Sequence, residues 1–397
     1  MITSDLYLVF PCTCTKGSLK DLSEWESFPQ KRKGIQLSEL AQDFRGEMKF
    51  QSKFEFDSTW SPLIERRNFG DIELVIKNDD RHNPEIIGSQ AAFGIETHYA
   101  ESDLSLFYVV VPNISALLTF ILDQSSRREV TIRIGGEEIE VEKWLEKFGL
   151  HVTSKAYYCV CTSGLDANEA RNIIASEAYY PESQMFINSK DVKQILDENI
   201  AQYTHYDCFA SHCGTIYVMK EFAETYPCRL YSECLIMFIL EIIILKISAI
   251  QLANKQVIEQ IESYKNIGQK DMRDIFEQFS KSIHLWDTQH FRYFISQTLA
   301  NRIEQSFGLN SFLEQYDRNR KLLEQLNGIS SIIVDKRKSI MLSLLATMQL
   351  ASISYSFWFY APYIRDIPIP FSQWLSFALS SIIAGAMAYY FIFKKGK

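Results

Sequence analysis

The spacing of apolar residues changes character twice along the chain. Over roughly the first 220 residues, short segments alternate apolar and polar side chains with the period of two that a half-buried strand requires. Residues 6–10, 49–56, 72–76, 107–111, 157–161 and 215–219 read as strands, and 130–141 as a hairpin around Gly135-Gly136. Helical spacing intervenes at 113–123 with Asn113 as cap, at 165–178, where Asp166 gives an acidic first turn after Gly164, and at 189–199. Strands mixed with helices predict an α/β or α+β layer domain over 1–220.

Residues 221–338 read as a helical stalk domain. A long helix is expected over 231–265, apolar at its start and polar by Asn254, Lys255, Gln256, Glu259 and Gln260. Its stretch 235–251 resembles a membrane span in hydropathy, yet Glu241 and Lys246 would each cost about 2.5–3.5 kcal/mol on insertion, so burial against protein is the cheaper outcome. Helix continues over 271–307 to a stop at Gly308, restarts near Ser311 and meets no breaker before Pro362. Leu322, Leu326, Ile329, Ile333 and Ile340 recur at intervals of three, four and seven, the seam of a helix packed on other helices. Leu326 and Ile333 are its expected contacts between subunits. From 311 to 361 the rod would measure roughly 75 Å.

The last region, 339–397, holds two uncharged runs, 340–361 and 371–393, of 22 and 23 residues. Each gives roughly 33 Å of helix, enough for a hydrocarbon core of about 30 Å. Trp358, Tyr360, Tyr363 and Trp374 sit where interfacial belts belong. Lys336, Arg337 and Lys338 precede the first run, Lys394, Lys395 and Lys397 follow the second, and the link between them carries only Arg365 and Asp366. The positive-inside rule then places both termini in the cytoplasm, which predicts a multi-pass protein of the inner (cell) membrane. The start, Met1-Ile-Thr-Ser-Asp5, lacks the features of a secretory signal.

Composition narrows the chemistry. Hydrophobic residues at 47% and charged residues at 23% exclude disorder as the main state. The net charge of −8 argues against binding a nucleic acid polymer, which needs a basic surface. Eight cysteines are too sparse for a disulfide scaffold, so a reduced compartment is expected. No enzyme motif is present: Thr15-Lys16-Gly17-Ser18 lacks the upstream glycine and spacing of a phosphate loop, and neither HExxH nor Gly-x-Ser-x-Gly occurs. No catalytic activity or cofactor is expected. His205, Cys208, His212 and Cys213 are zinc-ligand types in a spacing that matches no common zinc module, so ordinary buried side chains are the expectation and no metal is assigned. Cys12 with Cys14 and Cys159 with Cys161 read as core thiols. Lys31-Arg32-Lys33, Arg66-Arg67 and Arg127-Arg128 either pair with phosphate or are solvated surface charge. Tyr157, Tyr158, Tyr179 and Tyr180 either stack on a base or fill a core, so no ligand-binding residue is assigned.

A cytoplasmic mixed domain, a very long stalk helix, a basic cluster at the inner surface, two spans and a basic tail together resemble the CorA family of divalent-cation channels. Leu285-Trp286-Asp287 with Phe291, Leu322-Leu323-Glu324 with Ile329, and the tail Tyr390-Phe391-Ile392-Phe393-Lys394-Lys395 are similar to family patterns. The likeness covers the chain from about 230 onward; before that it rests on fold class. It implies a homo-oligomer, a pentamer by precedent, embedded in a lipid bilayer. The family's Gly-Met-Asn turn is replaced by Tyr360-Ala361-Pro362, so magnesium selectivity does not carry over. A chain that keeps the frame without that motif also resembles CorA-like proteins associated with type III CRISPR loci, on which a nucleotide second messenger is thought to act.

On the first span, Ser343, Thr347, Leu350 and Ser354 fall near one face and can line a pore, or the small polar ones can simply let helices pack closely. Leu350 and Phe357 can form apolar constrictions that gate by dewetting. Tyr360, Ala361, Pro362 and Asp366 would form the outer mouth, and Ala384-Gly385-Ala386 would pack the second span. Three functions follow as expectations: a channel gated through its cytoplasmic domain and poorly selective for magnesium, an antiviral effector that permeabilises the membrane, and a membrane-anchored binding protein without a pore.

Overall fold

The structure is a computed structural model that describes residues 3–14, 37–55, 64–78, 85–99, 103–114, 121–163 except 123 and 126, 200–220 except 203, 204 and 212, 228–262, 276–280 except 278, and 286–360. The expected helices at 165–178 and 189–199 lie outside these residues, as does everything beyond 360. Two compact units result: Met1–Ile258 with Gln269–Asn319, and Glu259–Gly268 with Arg320–Lys397.

In the first unit, eleven strands among the described residues form one mixed sheet. They are β1 (Thr3–Cys14), β2 (Ile64–Lys77), β3 (Ile86–Tyr99), β4 (Leu104–Ile114), β5 (Thr131–Ile134), β6 (Glu137–Glu140), β7 (Leu150–Val152), β8 (Tyr157–Ser163), β9 (Ala201–Gln202), β10 (Tyr206–Ala210) and β11 (Gly214–Met219). The spatial order is β6-β5-β2-β3-β4-β1-β8-β11-β10-β9, with β7 beside the end of β1. Only β8 and β11 pair in parallel. With antiparallel ladders prevailing, the fold is α+β rather than α/β. The helices are α1 (Leu37–Glu55), α2 (Val141–Glu146), α3 (Cys228–Glu262), α4 (Phe294–Ser306) and α5 (Leu309–Tyr360).

The register places Asp5, Tyr7 and Val9 of β1, Tyr108 and Val110 of β4, Phe93, Thr97 and Tyr99 of β3, and Arg66 of β2 on one face. Against it lie α1, whose Phe44 stacks on Tyr7 at 5.5 Å, and α3, whose Glu233 and Glu241 meet Tyr7 and Tyr99. On the opposite face Phe69, Phe107, Trp144 and Phe148 form an edge-to-face cluster under α2. Burial on both faces explains why β4 and β8 read as continuous apolar runs.

Several expectations need correction. The strand expected over 49–56 is replaced by helix as far as the described residues reach: 37–55 is helical, because Ala41, Phe44, Met48, Gln51 and Glu55 are buried at helical intervals that outlast the local alternation around Phe50 and Phe54. Asn113 caps no helix. It lies within β4, one residue before its end, with φ 53, its N–H donating to Asp5 Oδ1 at 2.7 Å. The helix expected over 271–307 is broken where Asp287 accepts from the Gln289 N–H and starts a 3₁₀ turn, Thr288–His290, before α4 begins at Phe294. Trp286, fully buried edge-to-face on Tyr99 at 4.6 Å, pins the chain there. Gly308 is the expected stop, with φ 74, and α5 starts at once at Leu309.

At the parallel seam the Tyr158 ring lies over its register partner Gly214, where an added Cβ would fall 1.9 Å from the ring. Gly214→Ala should therefore destabilise the first unit by about 1–3 kcal/mol, the usual cost of overpacking. A denaturation midpoint equal to that of the wild type would contradict this packing.

Candidate functional site

Helix α5 has 52 residues, about 78 Å at 1.5 Å per residue. In the second unit it passes from charged to apolar within two residues: Asp335, Lys336, Arg337 and Lys338 are exposed, and so are Ile340 (57%), Leu342 (53%), Leu344 (58%) and Met348 (64%). Successive residues are 100° apart around the axis, so these four, with half-buried Met341 and Leu345 between them, spread over about 200° of the helix surface, and exposed Ser343 falls in the arc they leave. An exposed apolar stripe of that width calls for a cover, either other helices or a bilayer.

Ser343 is exposed, and the helical backbone sets Ser343, Thr347, Leu350 and Ser354 at intervals of three and four; the side chains of the last three are outside the described residues. Tyr360 closes α5, while Ala361, Pro362 and Asp366 lie beyond the described residues. Leu326 is half-buried, Leu322 is exposed, and the Ile333 side chain is outside the described set.

Helix α3 is the contrasting case. Among the described residues it alone passes a length-and-hydropathy test for crossing a membrane, over Arg229–Glu262, yet 83% of its most apolar stretch is buried inside the protein. Its buried charged side chains, Glu233, Glu241 and Lys246, each have a partner of opposite charge. Glu241, with no exposed surface, is reached by Arg66 Nη2 at 3.0 and 3.1 Å and accepts from the Tyr99 hydroxyl. Lys246 Nζ donates to Glu304 Oε1 of α4 at 2.8 Å. Glu233 accepts from Tyr7 Oη at 2.7 Å and Arg229 Nε at 2.8 Å, and Arg229 Nη2 also holds Asp5 at 2.5 Å. Burial holds the Tyr7, Tyr99 and Tyr108 phenols well above their ordinary range, so they stay neutral, and Tyr7 and Tyr99 donate to the α3 carboxylates.

One guanidinium thus serves two carboxylates. Burial, helped by the Asp5 charge and opposed by Arg229, pushes the Glu233 carboxyl up to about 7. The folded state then keeps a proton that the unfolded chain releases near its ordinary 4.5, so stability falls as pH rises through that window. Thermal unfolding should occur at a lower temperature at pH 7.5 than at pH 5, and Glu233→Gln should flatten the dependence. Equal slopes for the two proteins would show that another group titrates.

Of the basic pairs, Arg66 is the buried partner of Glu241 and does not offer itself to phosphate. Arg67 engages Glu65 at 3.0 Å, Arg127 engages Glu129 at 3.6 Å and Arg128 engages Glu142 at 2.8 Å. Lys31-Arg32-Lys33, Tyr179 and Tyr180 lie outside the described residues. Tyr157 stacks on Phe307 at 5.4 Å and Tyr158 is buried over Gly214, so both fill the core. Cys208 and Cys213 are buried, His205 is exposed and His212 is not among the described residues. Burial raises the Cys208 thiol far above its ordinary range. No group of three side chains that could hold a metal occurs among the described residues. Cys12, Cys14, Cys159 and Cys161 are all buried.

The register also assembles a polar group that sequence spacing did not reveal. Ser105 Oγ donates to Glu96 Oε1 at 3.2 Å and stands 3.0 Å from His98 Nδ1, all three buried. Here the serine lies between acid and imidazole, whereas activation of a nucleophile needs the imidazole in the middle. The Glu96-x-His98 spacing on a strand was the only local sign that both share a face.

Comparison of the sequence with protein-family models and with curated proteins, and of the fold with solved structures, finds no match.

Proposed function

We propose that the chain is a CorA-like, homo-oligomeric channel of the inner cell membrane, anchored by two C-terminal spans and gated through its cytoplasmic α+β domain. The observation that carries this reading is α5. One unbroken helix leads from a polar segment through an exposed basic cluster into a stretch whose exposed apolar residues spread over about 200° of its surface. Water is a poor solvent for such a surface, and lipid with sister helices is a good one. The weight moves off α3, whose charges are already matched within the protein. Ser343, Thr347, Leu350 and Ser354 line the pore in this reading, and Tyr360-Ala361-Pro362 at its mouth supplies no side-chain amide to hold a hydrated ion. Magnesium gives up its waters reluctantly, so its selection over other cations is poor.

Full-length protein in vesicles tests both halves. Dye-loaded vesicles should show cation flux, and reversal potentials in planar bilayers should separate magnesium from potassium only weakly. Absence of flux from correctly inserted protein, in the wild type and in a Leu350→Ser variant that wets the expected constriction, would leave a membrane-anchored binding protein, and a strong magnesium preference would restore a selective transporter.

A further inference from the structure

We infer that Lys336, Arg337 and Lys338 form a collar on α5 that binds the phosphate groups of anionic lipids and so fixes the depth at which the helix sits. The inference rests on the membrane reading of α5 and adds the lipid class it meets. Three successive residues at 100° steps sweep about 200° of the helix surface, so the collar faces several lipids rather than one side. All three side chains are exposed, and Asp335 is the one acid next to them in sequence. The exposed apolar surface starts at Ile340, about 3 Å further along the axis, so the charges stand at the level where headgroups lie and their aliphatic stems run along acyl chains. From Lys338 to Trp358, twenty residues on, the helix rises about 30 Å, one hydrocarbon thickness, which sets a basic girdle at one interface and an aromatic residue at the other.

Charge complementarity selects the occupant. A chain of net charge −8 is repelled by an anionic leaflet except where positive charge is concentrated. Near such a surface each Lys or Arg contributes about 1 kcal/mol, and Arg337 can hold a phosphate through two N–H groups at once.

Full-length protein in neutral detergent is titrated with a fluorescent phosphatidylglycerol, with the phosphatidylcholine analogue as control. Each of Lys336→Gln, Arg337→Gln and Lys338→Gln should weaken phosphatidylglycerol binding about fivefold, and the triple variant about a hundredfold. The phosphatidylcholine analogue should not distinguish the variants, and raising salt should weaken wild-type binding. Equal affinity of wild type and triple variant for phosphatidylglycerol would overturn the collar. So would displacement by millimolar inorganic phosphate as effective as by phosphatidylglycerol, which would mark a soluble-anion site. Carbonate extraction of reconstituted vesicles separates the two ideas: the triple variant should stay in the membrane like the wild type. Wild type that is extracted would sink the membrane reading and the collar with it, whereas resistance to extraction with lost lipid discrimination sinks the collar alone.

Discussion

Arg66→Ala should leave the first unit close to unfolded. Glu241 has no exposed surface, and Arg66 is its only cationic partner among the described residues, so truncation strands a buried carboxylate beside the neutral phenol of Tyr99. Breaking a buried pair on one side costs about 3–5 kcal/mol, a large share of the 5–15 kcal/mol that a domain has in hand. Denaturant titration of the full chain in detergent, followed through the buried Trp286, reads the loss directly. Arg66→Lys should rescue little, because a point ammonium on a shorter reach does not reproduce the guanidinium. Replacing both partners, Arg66→Met with Glu241→Leu, should recover most of the stability. Wild-type stability in the single alanine variant would mean that Glu241 is charged by no one and held by no one.

The second large effect concerns α5. Leu344 and Met348 are one turn apart and exposed, so on a helix in water Leu344→Asp with Met348→Asp would be close to neutral. In a bilayer each aspartate costs about 2.5–3.5 kcal/mol on insertion. The double variant should therefore leave the membrane fraction under carbonate, lose flux and collect as soluble or aggregated chain. A variant that stays inserted with wild-type flux would contradict the assignment of α5 to the bilayer.

What could be read in advance follows from the range of the interactions. β1, β2, β4, β8, β11 and the Gly135-Gly136 hairpin announce themselves because their apolar runs are local. β3 does not, since Gly88, Ser89, Gln90, Ala91, Ala92 and Gly94 interrupt any alternation and the strand is held by neighbours on both sides. Glu241 and Lys246 argued correctly against a lipid environment for α3, but their partners stand 175 and 58 residues away in sequence, beyond any spacing rule. Arg66 is the instructive error. Read as half of a basic pair, it resembled surface charge; on a strand its side chain must point opposite to that of Arg67, so one of the two was bound to face inward.

The place of β1 in the sheet has a consequence for synthesis. The earliest of the described strands lies at the centre, and its two main neighbours, β4 and β8, end only at Ile114 and Ser163. At about 5–20 residues per second, both edges of β1 wait on the order of ten seconds or more after leaving the ribosome before the second partner exists. Its apolar sequence is therefore exposed to chaperones, and to strands of neighbouring nascent chains, for longer than any later strand of the sheet. The same order protects α3: the helix most easily mistaken for a membrane anchor emerges only after β11, when the face that carries Arg66 and Tyr99 is ready to receive it.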